Sequence, residues 1–214
     1  MERAFIIGNG KSRIGFDLNQ LRGKGTIYGC NALYRDFMPD VLVATDDRMR
    51  EEIELSEINP DVKKNIPKLI PFYTRRPSEK IKCHLDRPWQ NQDYQNNWSR
   101  KIDTNWGYSS GPVALTLACQ AKHSYLYLIG HDFISDDTKV NNVYAGTKNY
   151  KTSNMPATFH GNWIEQIRKI MLEFNTCNFA RVGALHNFRP EKWEDCPNHR
   201  EITFEQFLIE INNV

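Results

Sequence analysis

The stretches AFII (residues 4–7), VLVAT (41–45) and YLYLIG (125–130) are short, nearly continuous apolar runs. A strand with one wet face alternates apolar and polar residues, so an unbroken run needs cover on both faces. Such strands sit inside a parallel sheet whose crossover connections carry helices. This pattern predicts strands at 4–7, 26–28, 41–44, 68–72, 125–129 and 179–182, and helices at 47–55, 112–122, 162–174 and 204–211. Thr203 with Gln206 three residues on is a capping box for the last helix, and Pro112 behind Ser110 is a helix-start signal. The expected fold is α/β and Rossmann-like: a mostly parallel twisted sheet with helices on both faces and a partly irregular lid, in one domain spanning residues 1–214.

Two polar, aromatic-rich and aperiodic stretches, about 78–107 and 134–159, are expected to be lids or binding loops, since long irregular segments in compact domains usually carry function or are disordered. In an open α/β sheet the ligand crevice lies beyond the carboxyl ends of the strands, where these stretches fall.

A net charge of +2 gives no electrostatic case for nucleic-acid binding. The five cysteines are scattered, odd in number and lack a C-x-x-C pair, which favours free thiols over a disulfide frame or zinc site. No apolar run reaches the roughly 20 residues that span a bilayer. The segment MERAFIIGNG lacks the apolar length and flanks of a signal peptide. The expected location is cytoplasmic.

The first strand runs into the turn Gly8-Asn9-Gly10-Lys11-Ser12. As a phosphate-binding P-loop it fails, because the first glycine of G-x-x-x-x-G-K-S falls on Phe5. As a dinucleotide fingerprint it fails at Arg13, where the third glycine belongs. What survives is a tight turn whose N–H groups could meet an anion. Gly8 and Gly10 would let backbone approach a ligand, the Asn9 amide can donate and accept, and Ser12 adds a hydroxyl. A plain strand-to-helix turn explains the same residues.

Asn31 follows the second strand, and neighbouring parallel strand ends would bring Asn9 and Asn31 to one ligand. It could equally be a turn former. Ser109, Ser110 and Gly111 open an apolar helix whose first-turn N–H groups and dipole favour an anion, although serine is also a common cap. His131 and Asp132 follow the buried YLYLI run, where Asp132 could bind substrate or fix a loop. His160 stands at a helix foot, and histidine is the usual general base near neutral pH. Asp46-Asp47 is the nearest approach to a metal motif, but adjacent side chains on a strand point apart.

Taken in order, the G-N-G turn with its serine, the C-N pair (Cys30-Asn31), S-S-G-P, YLIGHDF, a tyrosine-bearing loop and a lone histidine resemble the CMP-sialic-acid-dependent sialyltransferases of bacterial surface-glycan synthesis. Their fold is a variant GT-A, Rossmann-like sheet. The resemblance implies that Asn9 and Asn31 bind the donor nucleotide and that Ser110 and Gly111 contact phosphate and sugar. It further implies that Asp132 is the aspartate after the central strand, that Tyr144 bonds the leaving phosphate and that His160 is the base. The chain departs from the family at Gly107, where the family has arginine, and at Ile134, where it has a lid tyrosine. MPDVLVATDD and the ending WEDCPNHREITFEQF are similar to the 6-hydroxymethylpterin diphosphokinase-like domain family, which shares the fold type.

The expected activity is metal-independent inverting transfer of a sugar from a CMP- or UDP-linked donor to an acceptor hydroxyl, with no resident cofactor. The expected partners are the nucleotide-sugar donor and an acceptor that could be glycan, protein, small molecule or modified nucleic-acid base; homo-oligomer formation stays open. The alternatives are a nucleotide-dependent diphosphokinase using Asp46 and Mg²⁺, and a non-catalytic nucleotide-binding module.

Overall fold

The computed structural model of the chain describes residues 2–56, 70–76, 99–102, 107–135 and 137–213. Among them the strands β1 (Arg3–Ile7), β2 (Thr26–Cys30), β3 (Val41–Ala44), β4 (Phe72–Thr74), β5 (Ser99–Lys101), β6 (Tyr125–Ile129), β7 (Asn178–Val182) and β8 (His199–Ile202) form one sheet. Its order is β5-β4-β3-β2-β1-β6-β7-β8. Every pairing is parallel. The helices among the described residues are α1 (Asp47–Ser56), α2 (Ser110–Gln120), α3 (Gly161–Glu173) and α4 (Phe204–Asn212).

The unbroken apolar runs are explained by burial on both faces. Ala4 and Ile6 of β1 join Leu126, Leu128 and Phe179 in a core closed by Val113 and Ala118 of α2 and by Ile167 and Ile170 of α3. Phe5 and Ile7 point the other way, with Tyr127, Ile129 and Val182, onto Phe207 and Ile211 of α4 and onto Leu18 and Leu21. Those two leucines belong to a 3-10 turn, one of two that stand where an α-helix would normally cross from β1 to β2. The fold is a Rossmann-like α/β sheet, as the sequence pattern predicts.

From β1 the chain steps outward to β5, then returns past β1 to build β6, β7 and β8. The direction of winding therefore reverses between β1 and β6. Connections leave these two strand ends toward opposite sides, and a crevice opens between them. Ile7, the last residue of β1, pairs with Gly29 of β2 and Ile129 of β6, so three strand ends reach the crevice together.

Two strands were not expected from the pattern. β5 (SRK) and β8 (HREI) are the sheet's edges, and neither carries an apolar run. An edge strand has one neighbour and tolerates charge, so the signal that marks central strands is missing there. The strand expected at 68–72 begins at Phe72 instead, with 68 and 69 outside the described residues. Most of the expected lid at 78–107 also lies outside them. The described residues of the stretch at 134–159 form turns, joined across an antiparallel bridge between Lys139 and Pro156. Among the described residues no helix is long and apolar enough to cross a membrane.

Candidate functional site

A cavity of about 680 Å³, counted out to its open mouth, fills the crevice. Its walls are the carboxyl ends of β1, β2 and β6, the start of α2, the foot of α3 and Asn141 and Asn142 of the irregular stretch. Of the sequence-derived candidates, Gly8, Asn9, Gly10, Asn31, Ser109, Ser110, Gly111, His131, Asp132 and His160 all line it. Ser12, Tyr144 and Asp46 do not.

The glycine turn is shaped first by the protein's own atoms. A Cβ on Gly8 would meet the Gly130 carbonyl oxygen at 2.4 Å, and one on Gly10 would meet the Asp132 carboxylate at 2.5 Å. Gly8 N–H donates to the Ile129 carbonyl and Gly10 N–H to that of Gly130, binding the turn to the end of β6. Asp132 anchors it further. Its carboxylate accepts from Ser12 N–H at 3.1 Å, from the Ser12 hydroxyl and from Asn141 Nδ2 at 2.9 Å. Asn141 Oδ1 in turn accepts from Lys11 N–H at 2.8 Å. Asp132 and Ser12 thus fix one loop against another.

Asn9 reaches across to β2, its Nδ2 donating to the Cys30 carbonyl at 3.2 Å and lying 3.4 Å from the Tyr150 hydroxyl. Its Oδ1 is buried without a hydrogen-bond partner. An unpaired buried acceptor is costly, so a group that fills it would gain accordingly. Asn31 adopts φ 54°, a left-handed conformation in which asparagine is enriched. Its Oδ1 accepts from the Ser110 hydroxyl at 2.8 Å, and Ser110 Oγ accepts from Thr45 N–H at 3.0 Å. The Ser110 hydroxyl is therefore spent within the protein. What α2 offers the cavity is its backbone. Ser109 N–H is satisfied by Gln166 and Pro112 has none, which leaves the N–H groups of Ser110 and Gly111 without an intrahelical partner.

The two histidines differ. His131 is buried between Gly8 and Gly111, its Nε2 has no partner, and burial reinforced by Arg181 pushes its pKa down to about 4. It stays neutral and resists taking a proton. His160 sits at the N-cap of α3, half-buried beside Trp163, with ring centroids 5.5 Å apart. Burial holds it below the ordinary imidazole range, while the Phe133 carbonyl and the Asp132 charge act in the opposite direction. The lowered pKa keeps it neutral at pH 7, the form in which a general base acts. Cys30 is no competitor as a nucleophile, since burial pushes its thiol up to about 12.

Tyr144 is buried in a separate core with Tyr34 and Met49, and its hydroxyl accepts from Arg13 at 3.2 Å. Asp46 is exposed just before α1. The site residues that sequence reasoning did not single out are Trp163, Phe133 and Asn141 with Asn142. Trp163 lies one turn into α3 from His160 and donates to Ser109 Oγ at 2.7 Å, tying α3 to α2. Phe133 takes φ 56°, which no sequence signal marks in a bulky aromatic residue. The Asn141-Asn142 pair was legible as a polar doublet beside Tyr144.

Fold and cavity together define a Rossmann-like α/β protein with a crevice at its topological switch point. A scan against family models, a search of curated proteins and a search of solved structures each return no match for the chain.

Proposed function

We propose that the protein is a glycosyltransferase that moves a sugar from a nucleotide-linked donor to an acceptor hydroxyl, with His160 as general base. The observation that carries this reading is the convergence in one cavity of a titratable histidine, two asparagines at neighbouring strand ends and the open N–H groups of α2. In the transfer step the acceptor oxygen forms a bond to the anomeric carbon and gives its proton to His160. The bond from that carbon to the phosphate oxygen breaks, and its electron pair leaves with the phosphate. The Ser110 and Gly111 N–H groups are suited to the charge that develops there, because a helix start carries partial positive charge that needs no reorganisation. Asn9 Oδ1 would accept from the nucleotide. Tyr144, away from the cavity, serves by holding Arg13 rather than by touching the leaving group.

The diphosphokinase alternative needs Asp46 at the reacting phosphates, and Asp46 lies outside the cavity lining. A cytidine or uridine donor is the first to test. His160→Ala is expected to lower kcat by roughly 10²-fold or more while leaving nucleotide affinity nearly unchanged. Turnover is expected to survive EDTA. Loss of turnover with EDTA, restored by Mg²⁺, would move the assignment to the phosphotransferase reading. Loss of turnover in His131→Ala but not in His160→Ala would refute the mechanism.

A further inference from the structure

We propose that Arg181 is a positioning residue of this site, clamping from behind the corner at Phe133 that shares the cavity wall with His160. The inference rests on the reading of His160 as the base.

Arg181 lies on β7 and is 0% exposed, the largest side chain among the fully buried ones. Its strand neighbours in register are Leu128 on one side and Glu201 on the other. Glu201 balances the charge, with Arg181 Nε donating to its carboxylate at 2.8 Å, and His199 Nε2 lies 3.3 Å from the same carboxylate. Such a pair is weak evidence for stability, because well-packed apolar residues in its place commonly fold as well or better. The remaining donors have more specific destinations. Nη1 donates to the carbonyls of His131 at 3.3 Å and Asp132 at 3.4 Å, and Nη2 to that of Phe188. The guanidinium also lies 5.5 Å from the centre of the Phe133 ring and 5.6 Å from that of Trp193.

The bonds to the His131 and Asp132 carbonyls and the contact with the Phe133 ring converge on the segment that leaves β6, while the Phe188 and Trp193 contacts tie that segment to the chain beyond β7. Phe133 holds a left-handed backbone, which costs a bulky residue roughly 1–3 kcal/mol and persists only where the surroundings over-determine it. Arg181 supplies that constraint, gripping the two carbonyls before Phe133 and facing its ring. Asp132 and Phe133 of the same corner line the cavity together with His160, and the Phe133 carbonyl and the Asp132 charge both favour the protonated form of its ring. One planar, five-donor group thus joins the back of the sheet to the environment of the base, a task for which lysine has too few directed donors.

The test reads the His160 ring directly and needs no substrate. Long-range ¹H–¹⁵N spectra of the full chain are recorded over a pH series, with the His160 signals assigned by their loss in His160→Gln. Arg181→Lys keeps the charge but not the fork. The double variant Arg181→Met with Glu201→Leu leaves no bare carboxylate and guards against misfolding. In both, once folding is verified by circular dichroism, the ring is expected to pass from one tautomer to a mixture, its nitrogens moving toward the averaged shifts of free imidazole. A folded double variant whose His160 shifts and titration match the wild type overturns the proposal, whatever its Tm. Failure of the base assignment is separate: His160→Ala would then retain turnover while the spectra still answer for Arg181.

Discussion

Gly8 shows how a residue can mark a site for a reason other than the one that draws attention to it. In the sequence it suggests backbone opened to a ligand; in the fold the space its side chain would need is taken by the Gly130 carbonyl. Backbone cannot rotate away, so Gly8→Ala is expected to destabilise the protein by about 1–3 kcal/mol or more, measured by chemical denaturation. Ser110 makes a similar case. Ser110→Ala strands Asn31 Oδ1 and Thr45 N–H together, and is expected to cost about 1–3 kcal/mol in the same assay. Residue types were legible here because few of them suit a tight turn or a helix start. Their division between holding ligand and holding protein was not, because it depends on partners about 80 to 120 positions away, such as Ser110 for Asn31 and Asp132 for Ser12.

Among the elements, legibility follows burial. The strands β1, β2, β3, β6 and β7 and the four helices among the described residues were readable from apolar runs and helix-start signals, since both report local chemistry. The capping box is the clearest instance: Thr203 Oγ1 accepts from Gln206 N–H at 3.1 Å, and Gln206 Oε1 accepts from Thr203 N–H at 2.9 Å. Thr203→Ala is expected to lower stability by about 1 kcal/mol, with α4 amides exchanging faster than the rest of the sheet. The edge strands β5 and β8 escaped because edges need no apolar run. The left-handed corner at Phe133 escaped for a different reason. Its conformation is imposed by Arg181, Asp132 and the β6 exit together, and no local propensity records that.

On the scale of the whole molecule the buried His131 couples the site to global stability. Its pKa is near 4 in the fold against 6.5 for free imidazole. Above pH 6.5 the ring is neutral in both states and its contribution is fully present. As pH falls the unfolded chain takes the proton first, so stability drains away until the folded ring titrates near 4. The loss is about 3 kcal/mol over that window, by linkage. Urea denaturation at stepped pH is expected to show a steeper decline between pH 6.5 and 4 for the wild type than for His131→Gln; parallel curves would mean the buried ring does not resist protonation. The central claim, that the switch-point cavity binds a nucleotide donor, is most directly tested by titrating CMP and UDP into ¹⁵N-labelled protein. The account expects shifted amides confined to Gly8, Asn9, Gly10, Asn31, Ser110, Gly111 and residues 130–133. Spectra unchanged at millimolar nucleotide, or shifts gathered on another face of the sheet, would contradict it.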